Sequence, residues 1–101
     1  MVQVIENRTD LEGVVASRSP DPDRPDHDLV GVDVQTATLV EGYAAVLSSH
    51  VGSRLDVSVP RSLITDDAGE GTTIRVRARL AGPGVVLADA DPGTLSLTPP
   101  A

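Results

Sequence analysis

Residues 73–80 read Thr-Ile-Arg-Val-Arg-Ala-Arg-Leu, and their alternation decides the fold class. Ile74, Val76, Ala78 and Leu80 recur with period two, and Arg75, Arg77 and Arg79 fall between them. Successive side chains of an extended chain point to opposite faces, so the aliphatics share one face and the guanidiniums the other. A helix would scatter both sets around its circumference. The segment is therefore a half-buried strand.

The same period appears on either side. In Leu29 to Thr36, Val30, Val32 and Val34 alternate with Asp33 and Gln35. Leu55, Val57 and Val59 alternate with Asp56 and Ser58, and Pro60 ends the run. Leu11 to Ser17 places Leu11, Gly13 and Val15 on one face, with Gly13 marking a bend or bulge. Val2, Val4 and Ile5 suggest a short edge strand. Gly82-Pro83-Gly84 suits a type II turn, with Pro at its second and Gly at its third position. Val85 to Ala88 then pairs back, and Leu95-Ser96-Leu97 is a last short strand. The period changes once. Thr38 to Glu41 fits a capping box, Val40, Tyr43, Ala44, Leu47 and Val51 recur at helical spacing, and Gly52 suits a C-cap. This predicts a helix at 39–50, weakened by Gly42.

The expected fold is mainly β: a small antiparallel barrel or sandwich of five to seven short strands with one helix near residues 39–50. Closure hides the edges of many short strands. Residues 1–101 are expected to form a single domain, with a Pro/Asp-rich loop at 19–28 and a short Pro-rich tail at 98–101. The order of strands, helix and strands between Leu11 and Leu97 resembles the OB-fold. Within that class ENRTDLEGVV at 6–15 and GTTIRVRARL at 71–80 resemble TOBE-like transporter accessory barrels. That likeness implies a small bound oxyanion or attachment to a transporter ATPase.

Composition narrows the function. The chain has 101 residues and a formal net charge of −7; it contains no Cys, Phe or Trp and one Tyr. Val and Leu must supply nearly all the burial, at about 1.5–3 kcal/mol per fully buried side chain. So thin a core favours a protein partner or self-association into a homo-oligomer. Phosphate neutralisation needs a basic surface, so the acidic balance argues against nucleic acid and anionic membranes. Without a basic and apolar leader at the start, a cytoplasmic location is expected. No cofactor is expected.

Two constellations are candidate binding residues. In SPDPDRPDHD, at 19–28, Asp21, Asp23, Asp26 and Asp28 offer hard oxygen ligands and His27 a nitrogen. The spacing is not that of an EF-hand, and three prolines stiffen the segment. A solvated connection is the simplest reading; a weak divalent-cation site and a docking loop are the others. On the strand, Arg75, Arg77 and Arg79 project in a row that could grip phosphates or carboxylates. The plainer reading is cross-strand ion pairing, with Asp33 and Asp56 as candidate partners. His50 sits where a helix C-terminus would favour its charged form, and Tyr43 reads as a rim-of-core residue. No catalytic residue is singled out: no triad is formed, and Asp66, Asp67 and Glu70 lie in a polar turn. The sequence leans away from an enzyme and toward a non-catalytic accessory or binding domain that acts through protein–protein contact. The alternative is a small-molecule or anion-binding barrel, or an enzyme subunit.

Overall fold

The alternating segments become strands in the computed structural model, which describes residues 7–66, 68–82 and 84–100. The expected strand at Val2, Val4 and Ile5 lies outside the described residues, as do Asp67, Pro83 and Ala101. Six strands follow in order: β1 (Thr9–Pro20), β2 (His27–Leu39), β3 (Arg54–Pro60), β4 (Thr73–Gly82), β5 (Val85–Ala88) and β6 (Leu95–Thr98). β1 pairs antiparallel with both β2 and β4, β2 with β3, and β4 with β5. A parallel contact between Ser58 of β3 and Leu87 of β5 completes the ring. Five strands thus close as β1-β2-β3-β5-β4, and β6 adds to β4 outside the ring. The result is a small closed barrel of mixed pairing, consistent with an OB-like fold.

The interior is what period two predicts. Leu11, Val15, Val30, Val32, Val57, Val59, Ile74 and Val76 are almost completely buried. Branched and small side chains fill the lumen without a single ring, as suits a barrel of this size. Gly13 permits the closure. The register between β1 and β2 shifts between Glu12 and Gly13, as a bulge requires. A Cβ at Gly13 would stand 2.1 Å from the carbonyl oxygen of Asp33 on β2. At the turn into β5, Gly84 has φ +69°, the left-handed backbone expected of the third residue of a type II turn.

The expected helix at 39–50 is not formed. Thr38, the expected N-cap, and Leu39, the expected first helical residue, are the last residues of β2 and pair with Asp10 and Thr9. Gly42 has φ +88°, which turns the chain off any helical path. Only Ser48–His50 is helical, as a single 3-10 turn, too short for a dipole to act on His50. The helical spacing has another origin. Val40 and Leu47 are buried while Val51 is 47% exposed, so the apolar residues do not form one continuous stripe. The 40–53 connection instead folds back on the barrel. Asn7 bridges Ala44, and Val34 exchanges backbone hydrogen bonds with Gly52 and Ser53. Arg8 lies over the Tyr43 ring, 4.9 Å from its centroid, and bonds Asp89 at 2.7 Å.

The Pro/Asp segment is also shorter than expected. Ser19 and Pro20 belong to β1, and His27 and Asp28 to β2, where they pair with Leu29, Asp28, Pro60 and Val59 respectively. Only residues 21–26 form the loop. Among the described residues, no helix is long and apolar enough to cross a membrane.

Candidate functional site

The Pro/Asp segment at 19–28 carries two buried carboxylates and two exposed ones. Asp21 and Asp28 are 6% and 7% exposed, whereas Asp23 and Asp26 face solvent. A buried carboxylate must be paired or hydrogen-bonded, or its desolvation would cost several kcal/mol. Both are. Asp28 Oδ2 accepts from Arg18 Nε at 2.8 Å and its Oδ1 from Arg61 Nε at 3.0 Å. Burial pushes its pKa up, but the two guanidiniums outweigh that and hold the carboxyl below the usual carboxylate range. Arg18 Nη1 also donates to the carbonyls of Thr65 and Ala68. Asp28 is thus a structural hub that ties the hairpin loop to the 61–72 connection.

Asp21 is held differently. Ser58 Oγ donates to its Oδ2 at 2.6 Å and the Asp23 backbone N–H to its Oδ1 at 2.9 Å. These bonds, the one from Ser58 foremost, lower its pKa. Arg24 Nη1 approaches Oδ2 at 3.4 Å. The loop therefore folds over β3, and the Arg61 N–H donates to the Asp26 carbonyl. That cover explains why Ser58, on the polar face by alternation, is only 2% exposed. Ser58 is a site residue that sequence reasoning missed. A serine between two valines carries no sign that a loop will bury it.

Between this loop, β3 and the start of β5 lies a cleft of about 170 Å³. Asp21, Asp23 and Asp56 give it an acidic wall, while Leu29, Val85 and Val86 supply apolar surface. The structure therefore brings Asp21 and Asp23 together at one cleft, places Asp28 in a separate ion-pair hub, and leaves Asp26 exposed outside the cleft lining. His27 contributes its backbone: its N–H donates to the Arg24 carbonyl, and its carbonyl accepts from Asp21 N–H and Arg61 Nη2. Its Nδ1 is buried without a hydrogen-bond partner. Among the described residues, no three His, Asp or Glu side chains are placed to hold a metal ion together.

The arginine row is arranged as alternation requires, with different partners from those expected. Asp33 pairs with Arg54 across β2 and β3, and Asp56 faces the cleft. The ladder instead lies beside β1, where Arg77 sits opposite Asp10 and Arg75 opposite Glu12. Arg77 bonds Asp10 through Nε at 2.8 Å and Nη2 at 3.2 Å, which raises the arginine's pKa. Arg75 and Arg79 are exposed and have no ion-pair partner among the described residues. A second groove, of about 260 Å³, runs from Asp10, Arg75 and Arg77 to Gly93, Thr94 and Ser96. Both grooves are smaller than the ~300 Å³ at which small-molecule pockets begin.

Comparison with known proteins adds no relative: no family model, no curated protein and no solved structure matches the chain.

Proposed function

We propose that this barrel is a non-catalytic binding domain that acts through protein–protein contact, and that the cleft beside the 21–26 loop is its docking face. The observation that carries this reading is the distribution of charge. Six of the eight arginines, at 8, 18, 24, 54, 61 and 77, are in ion pairs. Asp23 and Asp56 are exposed on the cleft wall with no ion-pair partner among the described residues. Exposed carboxylates without an ion pair among the described residues also occur at 12, 26, 41, 66, 70 and 91, but Asp23 and Asp56 stand together on a concave surface that the hairpin loop overhangs, beside the buried Asp21. Such a field steers a cationic partner, and the apolar wall gives it something to pack on. Loops held by a rigid scaffold commonly carry binding.

The test is site-specific photo-crosslinking in the native cell, with the reactive residue in place of Asp23. One discrete product is expected. It should disappear on Asp56→Arg and persist on Glu12→Arg, a change outside the cleft. A product twice the mass of the chain would identify the partner as a second copy. The likeness of residues 6–15 and 71–80 to TOBE-like barrels makes a transporter ATPase a partner to offer directly. Labelling that is indifferent to Asp56→Arg would refute the docking face.

A further inference from the structure

We propose that Arg24 is a built-in competitor for this cleft: its guanidinium occupies the position that a partner's arginine takes on binding. The inference rests on the docking reading and adds the chemistry of the partner and the regulation of the site. The geometry of Arg24 carries it. Five ion pairs among the described residues close at 2.7–3.0 Å, whereas Arg24 Nη1 stands 3.4 Å from Asp21 Oδ2. A strong guanidinium–carboxylate pair is shorter and commonly two-pronged. Arg24 is also on the loop itself, three residues from its partner, with a side chain 33% exposed.

Asp21 does not depend on Arg24. Its side chain is 4% exposed, and Ser58 and the Asp23 N–H each bond one of its oxygens. It therefore remains a fixed, ionised acceptor when Arg24 swings out. Asp23 and Asp56 stand in the same wall. Leu29, Val85 and Val86 provide the apolar strip along which an arginine's alkyl stem packs while its head meets carboxylates. A planar fork fits that arrangement better than the compact, strongly hydrated ammonium of lysine. The partner is accordingly an arginine-bearing segment of another protein.

The probe is a fluorescein-labelled peptide with four arginines spaced by Gly-Ser, alongside versions carrying lysine or citrulline instead. Binding is read by fluorescence polarisation, and the site by amide shifts in two-dimensional NMR. The arginine peptide should shift the amides of residues 21–24, 56–58 and 84–86. Loss of a long, partly buried pair should tighten its binding to Arg24→Ala about two- to fivefold. The lysine peptide, equal in charge, should bind more weakly, and the citrulline peptide should not bind. Arg24→Ala should unfold at the same urea concentration as the wild type. Cleft shifts with binding unchanged or weakened by Arg24→Ala, or with lysine equal to arginine, would overturn the competitor role and leave the docking face standing. An arginine peptide that leaves the cleft amides unmoved in both proteins would overturn both.

Discussion

Replacing Gly13 with alanine is the sharpest test of how the barrel closes. The added Cβ would lie 2.1 Å from the Asp33 carbonyl oxygen, 2.9 Å from its carbonyl carbon and 2.9 Å from Val32 Cγ1. Carbon–oxygen contacts in sheets normally sit at about 3.3–3.6 Å, so the strands must part by more than about 1 Å. Gly13 cannot retreat, because it is paired with Val34 on β2 and Ile74 on β4 at once. Overpacking typically costs about 1–3 kcal/mol, and each ladder hydrogen bond lost adds about 0.5–1.5 kcal/mol. The expected loss is about 3 kcal/mol, a large share of the 5–15 kcal/mol typical of a domain. For about 100 residues that lowers Tm by roughly 12–24 °C. Urea unfolding followed by far-ultraviolet circular dichroism measures it, with the slope m unchanged if only stability moved. Gly69→Ala is the control: nothing lies within 4 Å of its Cβ. It should fall within about 1 kcal/mol of the wild type. A Gly13→Ala protein within about 0.5 kcal/mol of the wild type would refute the claim that this glycine sets the approach of β1 and β2.

Three further outcomes are expected. Leu47→Ala should cost about 2–5 kcal/mol in the same assay, because Leu47 is 1% exposed; a cost below about 1 kcal/mol would return the 40–53 connection to the status of a surface loop. Asp21 and Asp28 both have lowered pKa values, so the unfolded chain binds protons that the folded chain refuses. Their contribution is fully present above the unfolded value of about 4 and is lost as pH falls through the folded values. Asp28→Asn should reduce stability by about 1.5–3 kcal/mol at neutral pH and flatten the acid limb of stability against pH; an unchanged limb would count against the Arg18–Asp28–Arg61 hub. Thr9→Val should be neutral or stabilising in thermal melts, because Thr9 is fully buried and its Oγ1 has no hydrogen-bond partner.

Where the chain is extended, and which residues face inward, follows from local residue pattern alone. Period two in 29–36, 55–59 and 73–80 is a local property, because the pleat alternates side chains whatever the neighbouring strand is. Gly13 was legible for the same reason: a glycine inside an alternating run marks a close approach. Which strands would be neighbours was decided only in three dimensions. The arginine ladder met Asp10 rather than Asp33 or Asp56, since register and strand order arise from long-range pairing. The helical spacing at 39–51 misled because a connection folded back on the barrel can bury Val40 and Leu47, seven residues apart, without a helix, and the left-handed Gly42 overrode the capping pattern. The cleft, too, is a tertiary object. Nothing in SPDPDRPDHD separates the buried Asp21 and Asp28 from the exposed Asp23 and Asp26. Their roles differ because the loop folds over Ser58 while Arg18 and Arg61 converge from β1 and from the residue after β3, and burial with such partners is a property of the assembled barrel.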